Sequence, residues 1–258
     1  MSRLLAITRA VSPGIARCEL AFARRRPIDH QRATVQHAAY EAALRDAGCA
    51  VERLPAADEH PDGVFVEDTA VVLDEIAVIT RPGAVSRRGE TATTARALAR
   101  HRPLAEISAP GILDGGDVLV SGKTLFVGRS GRTNAEGFDQ LRSIVAPLGY
   151  RAVDVEVRHC LHLKTAATLI DENLILLDEQ RIDRSVFDGH HTTAVAPGEA
   201  EAANAVRVDG RVLLSAAGPH TGERLAARGI EVIMVENDEL ARAEGGLSCC
   251  SLILCLTA

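Results

Sequence analysis

The chain has 258 residues, 47% hydrophobic and 25% charged, the balance of an ordinary soluble globular protein long enough for one large core. Its formal net charge of −6, with Arg24-Arg25-Arg26 as an isolated basic run, argues against a phosphate-tracking surface and suits a cationic small substrate. With no Trp, two Tyr and five Phe, it lacks the material for stacking single-stranded nucleic acid.

The first apolar run, Arg3–Thr8, is far too short for a signal segment and is followed by Arg9. No apolar run approaches the length of a membrane span. Four hairpins are then predicted from short β-rich runs around tight polar turns. Val64–Leu73 returns as Ile76–Thr80, and Asp114–Val120 turns at Ser121–Lys123 to return as Thr124–Gly128. His162–Ile170 turns at Asp171–Asn173 and returns as Leu174–Leu177; Ala203–Val208 turns at Asp209-Gly210 and returns as Arg211–Ser215. Helical spacing follows most of them: Ala95, Leu98 and Ala99; then Phe138, Leu141, Ile144, Val145 and Leu148 before Gly149; then the short Leu225–Gly229. A further strand such as Glu231–Val235 leads towards the next unit.

The last run, Ser251–Leu256, has no return strand of its own, and Arg3–Thr8 is its expected partner. The turns recur at roughly 40–50 residues, a period typical of propellers and arrays. About five ββαβ units around an axis are therefore expected, in one domain spanning 1–258. A plain α+β sandwich without symmetry is the alternative. Six cysteines, two of them adjacent and none regularly spaced, do not make a disulfide framework, and a reducing cytoplasm is expected.

The polar residues that a core strand does not need fall at one place in each unit. Glu67 and Asp68 open the first, Asp114 and Asp117 the second, His162 the third, and Cys249 the last. If equivalent strands start at one axis, these side chains converge on one pocket. Gly245 and Gly246 strip the backbone before Cys249, which permits close approach. Cys249 and Cys250 also fit a bland role as small core residues, and His162 that of a satisfied core histidine. A thiol with an imidazole arriving from elsewhere is a candidate nucleophile pair. Arginines in two loops, Arg81–Arg88 and Gly128–Asn134, suit a carboxylate clamp, while buried carboxylates call for a cation. A substrate with a carboxylate at one end and a guanidinium at the other meets both demands.

Six ordered phrases carry a resemblance: Pro61–Asp68, Ile79–Arg88, Leu113–Leu119, Arg132–Asn134, Leu161–Lys164 and Gly245–Ser251. They resemble dimethylarginine dimethylaminohydrolase (dimethylargininase), of the guanidino-group-modifying (pentein) superfamily, over essentially the whole chain. The resemblance implies an α/β fold, the five-bladed pentein propeller of ββαβ units with pseudo-fivefold symmetry. It implies hydrolysis of N-omega,N-omega-dimethyl-L-arginine, and of the monomethyl form, to citrulline and dimethylamine or methylamine. The route would be covalent cysteine catalysis through an S-alkylthiouronium intermediate. By position, Cys249 matches the nucleophile, His162 the general acid and base, and Asp114 the carboxylate orienting it, where many members have Glu. Asp68 matches the residue gripping the guanidinium, with Glu67 and Asp62 beside it. Arg87 and Arg132 match the carboxylate clamp, and Leu20 and Ala243 the backbone contacts to substrate. No metal and no organic cofactor is implied. The implied partner is methylated arginine; neither nucleic acid nor membrane is expected, and a homodimer is left open.

Relatives acting on free arginine read His-x-Asp where this chain reads His162-x-Lys164. A second carboxylate there would face methyl groups and stay unpaired, so its loss favours methylated arginine. Three rivals stand beside this reading. They are arginine deiminase or amidinotransferase activity on the same fold, a metal site of Cys160, His162, Cys249 and Cys250, and a non-catalytic binder of basic amino acids.

Overall fold

The computed structural model describes residues 3–256. The chain opens with β1 (Arg3–Arg9), α1 (His30–Asp46) and β2 (Cys49–Leu54). Next come β3 (Ala70–Val72), β4 (Ala77–Ile79), α2 (Thr91–Leu98) and β5 (Leu104–Glu106). β6 (Val118–Ser121), β7 (Thr124–Arg129), α3 (Ala135–Val145) and β8 (Arg151–Glu156) repeat the pattern. They are followed by α4 (Leu163–Ala166), β9 (Ala167–Asp171), β10 (Leu174–Leu177) and β11 (His191–Ala194). β12 (Val206–Val208), β13 (Arg211–Ser215), α5 (Pro219–Ala226), β14 (Glu231–Val235), α6 (Asp238–Ala241) and β15 (Leu252–Leu256) complete the chain.

These strands form five three-stranded sheets: β15-β1-β2, β3-β4-β5, β6-β7-β8, β9-β10-β11 and β12-β13-β14. In each, an antiparallel hairpin is joined by a third strand running parallel to its second. All four predicted hairpins are present, but their first strands begin later than expected, at Ala70, Val118, Ala167 and Val206, the polar residues before them lying in turns. β15 pairs with β1 as expected, Leu4 opposite Cys255. The Asp209-Gly210 turn shows why its sequence was legible. Both residues are left-handed, at φ 46° and 80°, which a type I′ hairpin turn requires.

A helix leads from the second strand to the third in four sheets. In α3 the apolar stripe Phe138, Leu141 and Val145 is buried, and the Asn134 side chain accepts the Gly137 N–H at 2.8 Å to cap it. The β9-β10-β11 sheet departs from this. Its crossover holds only a 3-10 turn, Arg184–Phe187, whose buried Phe187 meets Phe126 edge-on at 5.0 Å. Apolar residues fill the space between neighbouring sheets: Leu5, Ile7, Leu252 and Leu254 pack with Val66, Ala77, Ile79 and Leu98. Burying each of the Leu, Ile and Val side chains stabilises the fold by about 1.5–3 kcal/mol.

What positions the site is the set of short turns before the five inner strands. They are Val66–Thr69, Gly115–Asp117, α4, Ala200–Ala203 and Ser248–Cys250, and they touch one another around the axis. Asn204 and Ser248 close the ring: the Asn204 amide donates to Ser248 Oγ, and its Oδ1 accepts the Ser248 N–H, both at 2.9 Å.

Candidate active site

Four of the five turns of that ring carry or adjoin the functional groups. Val66–Thr69 carries Glu67 and Asp68, Gly115–Asp117 follows Asp114, α4 begins after His162, and Ser248–Cys250 holds Cys249. Glycines make the crowding feasible. A Cβ at Gly116 would lie 2.7 Å from Asp68 Oδ1 and 2.8 Å from His162 Nδ1, and one at Gly245 would lie 2.1 Å from the Phe65 ring.

His162 Nε2 lies 3.0 Å from Asp114 Oδ2, and both residues are buried. The shorter Asp at position 114 therefore reaches the histidine. Asp114 Oδ1 accepts the Gly83 N–H at 2.8 Å, so it is held from both sides. The other ring nitrogen, Nδ1, is 3.9 Å from Asp68 Oδ1. Burial alone would lower the His162 pKa, but Asp68 and the Asp114 hydrogen bond outweigh it and raise it to about 9. The same neighbours act on Asp68. Burial would raise it, yet His162 and Arg87 hold it down at about 2, and the Gly116 N–H adds a bond at 3.0 Å. His162 is thus a cation and Asp68 an anion at neutral pH.

Cys249 is buried, and its Sγ accepts the Gly246 N–H at 3.3 Å. Burial first, then the charges of Glu67 and Asp68, push its thiol well above the ordinary range. Without a bound cation it is a thiol, not a thiolate. Cys250 donates to the Gly246 carbonyl at 3.6 Å and packs in the core, as expected for a wall residue.

One tight cavity of about 20 Å³, little more than a water's room, brings together Asp62, Asp68, Arg87, Arg132, His162, Ala243 and Cys249. Its walls also include Phe65, Leu161 and Gly245, from the phrases noted in the sequence, and Glu19 and Glu244, which the sequence patterns did not single out. Leu20 is one residue past the wall residue Glu19, with its side chain against the core. The segment after Cys18 is tied down across the opening. Glu19 N–H donates to Asp62 Oδ2 at 3.1 Å, and Ser86 Oγ donates to Glu19 at 2.7 Å. The Glu244 carboxylate accepts the N–H groups of Ala21, Phe22 and Ala23.

The two arginines differ. Arg87 is buried, with Nε and Nη2 on Glu90, Nη2 also on the Phe65 carbonyl, and Nη1 on Asp68 at 2.5 Å. Of its five N–H groups, one on Nη1 is left for a ligand. Arg132 has no side-chain hydrogen bond or ion pair among the described residues and is half-buried on the cavity wall. Asp62, buried near Arg87, is raised to about 6 by desolvation, which Arg87 partly offsets.

Glu67 and Lys164 stand elsewhere than the sequence suggests. Glu67 is buried behind the Cys249 cavity, accepting from Lys164 Nζ at 2.6 Å and Ser248 Oγ at 2.8 Å. Both line a separate cavity of about 330 Å³ along the axis. Successive residues of the Val66–Thr69 turn point apart, so Asp68 faces the site while Glu67 faces away. Lys164 consequently lines a cavity other than the one that Cys249 lines. Asp117 likewise lies one layer behind the cavity, bonded to Ser130, Thr133 and Leu163.

The cysteine-rich metal set does not assemble. Cys160 Sγ donates to the His162 carbonyl at 3.4 Å and lines a neighbouring cavity. Among the described residues, the His/Cys/Asp/Glu cluster with metal-ligand spacing is Asp68, Asp114 and His162. Its atoms already hold Arg87, Gly116, Gly83 and one another.

A five-sheet propeller with Cys, His and Asp on its axis defines the class of cysteine-dependent guanidine-modifying proteins, and comparison with known chains supports this. The family pattern described as N,N dimethylarginine dimethylhydrolase, eukaryotic, matches residues 17–186. The N(G),N(G)-dimethylarginine dimethylaminohydrolase of Streptomyces coelicolor is 39% identical over 96% of both chains. That of Pseudomonas aeruginosa is 36% identical over 87% of this chain and 89% of its own. A solved structure of the Pseudomonas aeruginosa protein, a cysteine-to-serine variant complexed with citrulline, superposes with a TM-score of 0.93 at 33% identity, covering 98% of this chain and all of that one. The chain belongs to the dimethylarginine dimethylaminohydrolase family. The N-terminal domain of a cyanobacterial arginine dihydrolase shares the fold, with a TM-score of 0.82 at 18% identity.

Proposed function

We propose that the chain, acting as one catalytic unit, hydrolyses N-omega,N-omega-dimethyl-L-arginine and its monomethyl form to citrulline and the methylated amine. The observation that carries this reading is one cavity lined by Cys249, His162 and Asp68, with Asp114 bonded to His162 behind it and Arg132, unpaired among the described residues, on its wall. Asp68 takes the substrate guanidinium. Arg132 and the spare Nη1 hydrogen of Arg87 take the α-carboxylate, and Asp62, with backbone atoms near Leu20 and Ala243, takes the α-ammonium. The apolar walls of Phe65 and Leu161 suit N-methyl groups.

The charge state of these groups sets the order of events. The substrate cation offsets the carboxylates that hold the Cys249 proton on, so binding releases that proton to solvent. The thiolate adds to the guanidinium carbon, giving a neutral tetrahedral adduct. Protonated His162 gives its proton to the dimethylated nitrogen, and the C–N bond breaks. Dimethylamine leaves, with a cationic S-alkylthiouronium on Cys249 and a neutral imidazole. His162 then takes a proton from water as the oxygen bonds to carbon. The adduct collapses to the urea of citrulline, the C–S bond breaks, and its hydroxyl proton returns to the sulfur. A His162 raised to about 9 is charged at neutral pH and ready for the first transfer.

The six free cysteines support a reducing compartment as its place of work. No described helix is long and apolar enough to cross a membrane. Citrulline formation from dimethylarginine, with free arginine run in parallel, tests the reading. Turnover of arginine alone would replace it with a deiminase.

A further inference from the structure

We infer that Asp117 is the positioning residue that holds the carboxylate clamp and the acid–base histidine in one register; this rests on the function proposed above. Asp117 is fully buried and touches no cavity-lining side chain assigned to substrate. Its Oδ2 accepts Ser130 Oγ at 2.5 Å and Thr133 Oγ1 at 2.7 Å, the residues on either side of the Arg132 loop tip. Ser130 Oγ in turn accepts the Arg132 N–H at 3.0 Å. Thr133 Oγ1 accepts the Asp114 N–H at 3.3 Å. The other oxygen, Oδ1, accepts the Leu163 N–H at 3.0 Å.

That last bond explains the freedom of His162. His162 is the N-cap residue of α4, but its side chain makes no capping bond. A cap residue commonly spends its side chain on the first N–H groups of its helix. Here Asp117 satisfies one of them from the neighbouring sheet, leaving the imidazole to turn to Asp114. Its position is also closely fitted: a Cβ on Gly128 would stand 2.7 Å from Asp117 Oδ1. One carboxylate thus fixes the backbone beside Arg132, His162 and Asp114 together. A residue that merely filled space would have no cause to spend both oxygens on those segments.

The test is Asp117→Asn, which keeps the shape but replaces one acceptor by a donor. Kinetics are read on dimethylarginine and on a dimethylguanidine lacking the α-carboxylate, with active sites titrated by thiol labelling. The expected result has two parts. KM for dimethylarginine rises about tenfold while KM for the truncated guanidine stays within about twofold, and kcat falls at least tenfold for both. Loss of active sites with unchanged constants per site would reduce Asp117 to a structural residue and overturn the inference, as would unchanged kinetics in a folded variant. Should Asp117→Asn fail to fold, Ser130→Ala reads the clamp arm alone, and an unshifted KM ratio there overturns the inference equally. Wild-type turnover in the same assay separates this outcome from failure of the proposed function.

Discussion

Lys164 Nζ and Glu67 Oε1 meet at 2.6 Å behind the nucleophile, so the floor of the site is an ion pair facing a second cavity. Its two charges act oppositely on Cys249: Glu67 raises the thiol pKa and Lys164 lowers it. Lys164→Met should therefore slow thiolate formation and lower kcat. It should also destabilise the fold by about 1–3 kcal/mol, the usual effect of removing one partner from a buried polar contact. The ratio of catalytic efficiencies for dimethylarginine and free arginine should stay within about threefold. A tenfold change in that ratio, with the melting temperature unmoved, would show that Lys164 reaches the substrate.

Cys249→Ser should abolish citrulline formation, whereas Cys250→Ser should keep most of it. Cys249 opens onto the cavity; Cys250 is turned to the Gly246 carbonyl and the core. The reverse ranking would move the nucleophile by one residue.

The two arginines offer a contrast between affinity and stability. Arg132→Ala removes a cation that has no side-chain partner among the described residues, so the melting temperature should barely change. KM should rise about 10–100-fold, for a charge-assisted contact of about 1.5–3 kcal/mol. Arg87→Ala strands Asp68 and Glu90, both buried, and should cost about 3–5 kcal/mol in folding stability. Equal melting temperatures for the two variants would contradict this division.

The pH profile of kcat/KM should have two limbs with different owners. Asp62 must be ionised to take the α-ammonium, so activity falls as the pH drops through about 6. His162 must be protonated to release the amine, so activity falls as the pH rises through about 9. Asp62→Asn should flatten the acid limb and leave the alkaline one; an acid limb that survives belongs to another group. The His162 shift carries a stability sign as well. Its contribution is fully present below the ordinary 6.5 and is lost as the pH rises through about 9.

Strands and hairpins were legible because local sequence and fold demand the same residues: β-rich runs, and Asp209-Gly210 where two left-handed residues are needed. α1 and β2 gave no such signal. The buried face of α1 carries Gln36, His37 and Glu41, which break the apolar spacing that marks a helix. Glu41 is buried because Thr8 and Arg53 bind it, a compensation invisible along the chain. The same limit applies at the site. Asp68, His162 and Cys249 announced themselves as polar residues at equivalent places in three of the five units. Glu19 and Glu244 act from irregular segments through backbone N–H groups, which leave no pattern in sequence. Glu67 and Asp68 are neighbours along the chain, and only the tight turn sends one into the floor and the other into the cavity.

The pairing of β15 with β1 has a consequence for where the aim of the nucleophile can be disturbed. The turn that carries Cys249 runs directly into β15, and the register of β15 is held by β1, nearly the whole chain away in sequence. A change that loosens β1 is therefore expected to loosen the thiol, although no residue of β1 lines the cavity.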